Sequence, residues 1–384
     1  MAEQKNKKRK NLSENSPEEN PNPTSPSELN EFPTIDAELL VEINKAPLTF
    51  NSIVVMIQEG LLGLLGTYWN RASPSQKNLL LTSTGEIEPE LGYTLIDIAI
   101  QHNCVGALDI FLNYIESLPN RVELLQICPS TGKDEGLTPV AMAVAYNQPA
   151  CLRAINQAVN KEEYFTLINA FLKSGQYSGM TTLAMTVELQ RNRCLKIILN
   201  AFTLEQRLNA MRIFQTGGKF KGCDLIAISI LSTDANYFRL LLLNMGINSV
   251  SQLSLLFNTY QQGKFKGLTS SAIAVLNEKW DFLYVMLRAF PYQAQRDKLL
   301  EIPQGAGNSG TSYEGLTVKD IISESKDPAV HQKILEKVSE GLRDSTFILS
   351  PSAFFGKTGK HPTTLGPSGD SLDKKESSMN SSLV

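Results

Sequence analysis

The sequence contains few of the residues that build metal sites and nucleophilic active sites. It has three histidines, and none of them lies in an HExxH motif or beside a cysteine cluster. Its five cysteines include no CxxC pair, so neither a zinc site nor a disulfide framework is predicted. These shortages exclude the zinc enzymes and disulfide-rich proteins that such motifs define. We therefore expect a non-enzymatic protein with no cofactor and no metal.

Long apolar runs and an excess of positive charge are also lacking. The longest apolar stretch, which starts at Ile53, is interrupted by Gln58 and Glu59 and is shorter than the ~20 residues of a membrane span. The first ten residues lack the apolar core of a secretory signal. The net charge of -3 argues against a nucleic-acid-binding surface. We expect no membrane span and no nucleic acid partner, in a cytoplasmic or nuclear setting unless another export signal is used.

Both ends of the chain differ in composition from its centre. Residues 1–36 are rich in Asn, Pro, Ser, Glu and Lys, and residues 341–384 are rich in Ser, Gly, Pro and Lys. Such segments bury too little apolar surface to offset the entropy cost of folding. The sequence thus predicts a disordered N-terminal tail, first basic and then acidic, and a disordered C-terminal tail on either side of a folded region.

A nine-residue phrase recurs through the folded region. It reads GYTLIDIAI from Gly92 and GLTPVAMAV from Gly136. Related phrases begin at Gly179, Gly222, Gly267 and Gly315. The successive spacings are 44, 43, 43, 45 and 48 residues, and repetition with this period is typical of a solenoid of stacked units. The six units are numbered from these glycines.

Each unit is predicted to contain two helices, a third helix and a loop. Large apolar residues stand six and eight positions after the glycine with a small residue between them, as in Ile98, Ala99 and Ile100. A second apolar cluster and then a third amphipathic segment follow, each with helical period. The glycine predicts a turn with positive φ, and a threonine two positions later predicts an N-cap. These threonines are Thr94, Thr138, Thr181, Thr269 and Thr317.

The first-helix phrase resembles the ankyrin repeat. Residues 138–143 (TPVAMA) and 94–99 (TLIDIA) are similar to the T-P-L-H-x-A motif of that family. The family's histidine is replaced by Asp97, Ala141 and other residues. The repeat period is longer than the about 33 residues of ankyrin units and is close to the period of HEAT or armadillo arrays.

The resemblance implies an all-α fold, an α-solenoid over residues 92–340. It would consist of about six ankyrin-like units of 43–48 residues, each with two ankyrin helices, a third helix and a finger loop. Residues 37–91 repeat the three-helix order without the glycine phrase, and we expect them to form an N-terminal capping helical unit.

The position two residues before the repeat glycine is aromatic in four units: Tyr177, Phe220, Phe265 and Tyr313. Lysines flank two of these rings, as Lys219 and Lys221 around Phe220 and as Lys264 and Lys266 around Phe265. If the loops project as fingers along one edge, these side chains form a row that suits a protein partner with an acidic surface. The alternative is that the rings pack each loop against the next.

Short signals occur near both termini. Lys5, Lys7, Lys8, Arg9 and Lys10 form a cluster typical of a nuclear localisation signal, although such runs are also ordinary solvated tails. The last residues, 382–384 (SLV), resemble a class I PDZ ligand.

A degenerate ankyrin array between polar tails resembles the type IV secreted ankyrin effectors of intracellular bacteria such as Legionella and Coxiella. The resemblance implies a C-terminal secretion signal and delivery into the cytoplasm or nucleus of a host cell. We therefore predict a monomeric scaffold that binds a host protein through its concave, finger-bearing face. The alternatives are an endogenous nuclear or cytoplasmic scaffold, or an enzyme or nucleic acid binder that uses the loops between repeats.

Overall fold

A computed structural model describes residues 48–336, except for 87–88, 245–253, 261–264, 291, 306–312, 326, 330 and 334. The described residues all lie in one compact unit that starts at Leu48. Both tails, with the cluster from Lys5 to Lys10 and residues 382–384, fall outside the described residues, and so does Lys264. What the sequence predicts for them stays a prediction.

The helices follow the predicted order, and the all-α solenoid is confirmed. First helices, starting with that of the cap, are Phe50–Gln58, Leu95–Gln101, Pro139–Ala145, Thr182–Glu188, Leu225–Ser232, Ser270–Leu276 and Val318–Ser323. Second helices are Leu62–Arg71, Val105–Ile115, Pro149–Ala158, Asn192–Ala201, Ala235–Asn244 and Trp280–Arg288. Third helices are Pro74–Thr82, Arg121–Leu124, Lys161–Asn169, Leu204–Met211 and Gln293–Leu300. In unit 4 the corresponding described element is a 3-10 turn, Ser254–Phe257.

Every repeat unit begins its first helix as the glycine phrase predicts. The six repeat glycines have φ between 75° and 87°. In five units the threonine two positions later is the N-cap, as at Thr138, whose hydroxyl oxygen accepts a hydrogen bond from the Ala141 N–H at 3.3 Å. In unit 4, Asp224 replaces the threonine and accepts from the Ala227 N–H at 2.9 Å.

The position of the ankyrin histidine has a capping role in units 1 and 6. Asp97 Oδ2 accepts hydrogen bonds from the Thr94 backbone N–H at 2.9 Å and from the Thr94 hydroxyl at 2.8 Å. Asp320 makes the same two bonds with Thr317, at 2.8 and 2.7 Å. These reciprocal capping boxes hold the helix start where the family's histidine is missing. In the units between, the residue is Ala141, Ala184, Ala227 or Ala272.

The units stack with a fixed pattern of helix contacts. Each first helix contacts the first helices of the neighbouring units, each second helix contacts the neighbouring second helices, and the cap extends both columns. The third helices of the cap and of units 2 and 3, and the 3-10 turn of unit 4, contact the first helix of the following unit, as Lys161–Asn169 contacts Thr182–Glu188. The first helices are thus packed on one side by second helices and on another by third helices.

This packing buries the first helices. In units 1 to 5 the first six residues of every first helix are buried, for example Thr182 to Val187 in unit 3. The side chains at these positions therefore offer no surface to a partner. Binding at the predicted concave, finger-bearing face stays a prediction.

Polar side chains join the third helices of units 1, 2 and 3. Arg121 donates from Nε and Nη2 to the two carboxylate oxygens of Glu163, both at 2.9 Å. Gln206 Nε2 donates to both carboxylate oxygens of Glu162 at 3.2 Å. Glu163 and Gln206 also close the capping boxes of their own helices. The hydrogen bonds from Arg121 lower the pKa of Glu163. Glu163 and Gln206 thus each fix the start of a helix and its position against the third helix of the preceding unit.

Candidate partner-binding surface

Each finger is closed at its base by backbone hydrogen bonds. In the finger ahead of unit 3, the Leu172 N–H donates to the Met180 carbonyl at 2.9 Å, and the Gly179 N–H donates to the Leu172 carbonyl at 2.8 Å. Equivalent pairs of bonds are made by Gly85, Gln215, Tyr260 and Gln304, ahead of units 1, 4, 5 and 6. The bonds hold the repeat glycine and the residue after it at a constant place in each unit.

Neighbouring fingers are also bonded to each other. The Thr216 N–H donates to the Gly179 carbonyl at 2.8 Å, and the Gly305 N–H donates to the Gly267 carbonyl at 2.7 Å. The backbones approach so closely that a Cβ placed on Gly179 would lie 2.2 Å from the Gly217 nitrogen. These fingers therefore form a packed row rather than separate loops.

The packed row buries two of the four predicted aromatic residues. Phe220 is 5% exposed and Phe265 is 7% exposed, so neither ring offers a surface to a partner. Tyr177 and Tyr313 are half-buried. The expectation of an exposed aromatic row is corrected for the two phenylalanines, whose burial agrees with the alternative that the rings pack loop against loop. The physical reason is the direct bonding of one finger to the next.

Three of the predicted residues, Tyr177, Lys219 and Phe220, come together beside Glu188. The Lys219 ammonium forms an ion pair with the Glu188 carboxylate and lies 4.8 Å from the centroid of the Phe220 ring. Burial, with a contribution from the charge of Glu188, raises the pKa of the Tyr177 hydroxyl. Lys219 is itself exposed, and its charge is paired with Glu188 of the same array.

The remaining described lysines of the predicted site face solvent. Lys221 and Lys266 are both exposed, one in each of two neighbouring fingers. Contact of a partner with these lysines stays a prediction.

Sequence reasoning missed a second aromatic column, at the base of the fingers. Phe171 and Phe214 both stand eight residues before a repeat glycine. Phe171 pairs with Thr181 across the finger base, and the Thr181 N–H donates to Gln215 Oε1 at 2.8 Å, so the two rings lie in adjacent layers. Phe171 is 39% exposed and Phe214 is half-buried. Their shared spacing from the glycine was the available signal.

A cavity of about 390 Å³ opens beside Phe214. Its walls come from the end of the third helix of unit 3, the start of the first helix of unit 4 and the segment ahead of unit 5. Phe214, Phe257 and Tyr260 line it together with the carboxylate of Asp224. The rings of Phe214 and Tyr260 meet edge to face with their centroids 6.0 Å apart. The volume lies at the lower end of the ~300–1,000 Å³ that ligand pockets span.

The side-chain hydrogen bond between layers at this cavity differs from those in the layers before and after it. In the layers before and after, a glutamine side chain accepts from the N-cap N–H of a first helix, as Gln304 Oε1 does from Thr269 at 2.7 Å. Here Tyr260 replaces the glutamine, and its hydroxyl donates to Asp224 Oδ1 at 2.6 Å. Burial raises the pKa of Asp224 to about 6, although its hydrogen bonds act in the opposite direction. Burial also raises the pKa of Tyr260.

Within the described part of the chain, His, Cys, Asp and Glu form no group of three or more that could hold a metal ion. None of the helices described combines the length and apolar character needed to cross a bilayer.

The stacked contacts, the glycine turns and the helix caps define a helical repeat protein with ankyrin-like first and second helices and an added third helix. No protein-family model matches the sequence, and no curated protein matches it. Among solved structures, the chain is similar to the ankyrin repeat domain of Bcl-3, a member of the IkappaB family, with 13% identity and a TM-score of 0.43. The similarity covers 62% of this chain and 84% of that chain.

Proposed function

We propose that this protein is a non-enzymatic scaffold that binds a protein partner on the side formed by its third helices and fingers. The observation that carries the proposal is the aromatic cavity beside Phe214, one layer from the exposed ring of Phe171. Binding energy at protein interfaces concentrates in aromatic residues in or beside desolvated pockets. A stack of bonded layers holds such a pocket without the entropy cost of ordering a loop.

The lining of the cavity indicates what kind of partner side chain it accepts. Phe214, Phe257 and Tyr260 offer apolar contact, while Asp224 offers a hydrogen-bond acceptor in the wall. Arg212 lines the same cavity and is exposed, so it is available to an acidic group of the partner. We infer that the anchor is a large side chain with an apolar body and a hydrogen-bond donor, followed or preceded by an acidic residue.

A double variant, Phe171→Ala with Phe214→Ala, is expected to lose its partner. Truncation of aromatic anchors costs about 2 kcal/mol or more at interface hot spots, which corresponds to at least about a thirtyfold loss of affinity. The measurement is a quantitative pull-down from eukaryotic lysate, in which the amount of each protein captured by the variant is compared with the wild type. Thermal melting followed by circular dichroism verifies that the variant is folded.

Leu79→Ala is the matched control for this experiment. Leu79 is 66% exposed on the third helix of the cap, so its truncation removes a comparable apolar surface far along the chain from the cavity. The control is expected to capture the same proteins as the wild type. Capture of an unchanged set of proteins by the folded Phe171/Phe214 variant would show that this surface does not bind the partner.

We further propose that the partner is a host protein and that the chain acts as a secreted effector in the host cytoplasm or nucleus. The support for this is the sequence resemblance to type IV secreted ankyrin effectors, with the cluster from Lys5 to Lys10 as a signal that a host nucleus can read. An endogenous nuclear or cytoplasmic scaffold is the alternative.

Deletion of residues 365–384 is expected to abolish secretion if the chain is an effector. A reporter of translocation is fused to the full chain and to the deleted chain in a bacterium with a type IV secretion system, and its signal is measured inside host cells. An equal signal from both fusions would count against a C-terminal secretion signal, and no signal from the full chain would favour the endogenous scaffold.

A further inference from the structure

The cavity beside Phe214 contains a carboxylate that no cation of the described chain neutralises. Phe214, Phe257 and Tyr260 line it together with half-buried Asp224. Among the residues that the structure describes, no cation forms an ion pair with Asp224. Charges removed from water are normally paired, because surroundings of low polarity penalise an isolated charge. We propose that the cavity binds an alkylammonium group, the lysine side chain of a protein partner; this inference rests on the proposed function of the same site.

The carboxylate is held in one orientation by two hydrogen bonds. Asp224 Oδ1 accepts from the Ala227 N–H at 2.9 Å and from the Tyr260 hydroxyl at 2.6 Å. Because both of these bonds end on Oδ1, Oδ2 can accept from a ligand. A pKa of about 6 leaves Asp224 mostly ionised at neutral pH, and an ionised acceptor forms stronger hydrogen bonds with a cationic donor than neutral groups form with each other.

The aromatic rings favour a cation over a neutral donor. The planes of Phe214 and Tyr260 meet at 82° with their centroids 6.0 Å apart, so both rings can turn a face toward one point in the cavity. The face of an aromatic ring is negative and attracts a cation within about 6 Å of its centroid. The third ring, Phe257, already has such a contact with the chain's own Lys298, whose Nζ lies 5.9 Å from the ring centroid. An ammonium group in the cavity thus meets aromatic faces as well as a carboxylate.

The form of the cavity suits lysine better than arginine. Met211, Ile226 and Tyr260 are buried and form its floor, whereas Arg212 and Asn258 are exposed and form its rim. The flexible four-carbon stem of lysine can cross apolar walls while its compact ammonium reaches an acceptor. A guanidinium binds a carboxylate best with two parallel bonds to both oxygens, and here one oxygen already accepts two bonds.

Two cations of the chain lie near the cavity. Arg212 is exposed at the rim, and Lys298 is exposed and is not one of the lining residues. Water and salt screen exposed charges more than charges inside a cavity. Arg212 still opposes the entry of an isolated ammonium group, so we expect an acidic residue next to the lysine of the partner, where it can pair with Arg212.

The test titrates the full chain with a serine-rich peptide whose central lysine is followed by glutamate. Ligand-observed NMR measures the dissociation constant, because one side chain is expected to bind weakly. Norleucine in place of the lysine keeps an apolar stem without the ammonium, and acetyl-lysine keeps an N–H donor without the charge. Both replacements are expected to weaken binding at least about tenfold. Failure of the lysine peptide to bind, or equal binding of either replacement, would overturn the proposal.

Asp224→Asn is the matching change in the protein. Asparagine can still cap the helix at Ala227 and accept from Tyr260, so the variant loses the negative charge and keeps the local hydrogen bonds. It is expected to bind the lysine peptide at least about tenfold more weakly. Asp109→Asn, at an exposed position in unit 1, changes the net charge equally and is expected to alter binding less than about twofold. Equal weakening by both variants would show attraction to net charge alone and overturn the proposal.

A second variant keeps the proposal testable if Asp224→Asn does not fold, which circular dichroism melting verifies. Phe214→Leu keeps an apolar side chain and removes the aromatic face. It is expected to weaken binding of the lysine peptide about fivefold and to leave any binding of the norleucine peptide nearly unchanged. Equal effects on the two peptides would show that the cavity does not select a cation.

n-Butylammonium distinguishes a partner's lysine from a free amine. It carries the same head group but cannot place a carboxylate beside Arg212. It is therefore expected to bind at least about fivefold more weakly than the lysine peptide. An affinity equal to that of the peptide would make the cavity a site for free amines and would overturn the assignment to a protein partner.

The pull-down separates this inference from the proposed function. Asp224→Asn is expected to lose the same partner as the double variant Phe171→Ala with Phe214→Ala. If the double variant loses the partner and Asp224→Asn retains it, the surface binds a partner through a side chain other than lysine, and only the inference fails. If both variants retain the partner, the proposed function fails as well.

Discussion

Gly179→Ala is expected to destabilise the array by about 2–5 kcal/mol. Gly179 has φ of 80°, and an alanine in this left-handed region costs roughly 1–2 kcal/mol. Its Cβ would also lie 2.2 Å from the nitrogen and 2.4 Å from the Cα of Gly217. Both atoms are backbone and cannot rotate away, so the finger of unit 4 must move, at a cost of the about 1–3 kcal/mol typical of overpacking. The measurement is urea unfolding followed by circular dichroism.

Gly92→Ala separates the two contributions. Gly92 has φ of 82°, nearly the same as Gly179, but the nearest atom to its added Cβ is the Thr131 hydroxyl at 3.4 Å, which is ordinary contact with a side chain. This variant is expected to lose only the roughly 1–2 kcal/mol of backbone conformation. Equal losses at the two positions would show that the fingers are not tightly bonded, and the explanation given for the burial of Phe220 would then fail.

The sequence correctly predicted the features that depend only on residues within one unit. The glycine at the start of the phrase needs only its own positive φ, and the threonine two positions later needs only the N–H three residues on, so both could be read from one unit. Asp97 could also have been recognised as the third residue of a capping box, because its partner, Thr94, is three residues away. Periodicity then predicted the helices, because apolar spacing within one helix reflects its own buried face.

The errors concern contacts between units. Whether Phe220 is exposed depends on how closely its finger approaches the one before it, which the bond between Thr216 and Gly179 sets across 37 residues. The cavity depends on a pair, Tyr260 and Asp224, that lies 36 residues apart and replaces the glutamine contacts of other layers. A residue's spacing from its own glycine gives its place in the unit, but not which residue of the next unit it meets.

The protein is expected to become less stable as the pH rises from about 4 to about 7, because of Asp97. This side chain is fully buried, and its Oδ1 has no hydrogen-bond partner. Burial raises its pKa to about 7, although the hydrogen bonds from Thr94 act in the opposite direction. The folded state therefore binds a proton that the unfolded chain releases near pH 4. Stability from this group is fully present below the unfolded pKa and is lost as the pH rises through the folded pKa.

Asp97→Asn tests this assignment. A difference of about three pKa units corresponds to a loss on the order of 4 kcal/mol between pH 4 and pH 8 in the wild type. Asparagine can still accept the hydrogen bond from the Thr94 N–H but cannot ionise, so the variant should show a smaller change in free energy of unfolding over this range. Asp109→Asn, at an exposed position on the next helix, should retain the wild-type change. If urea unfolding of Asp97→Asn shows the full pH dependence, the proton belongs to another group, and Asp97 is a capping residue without a role in the pH response.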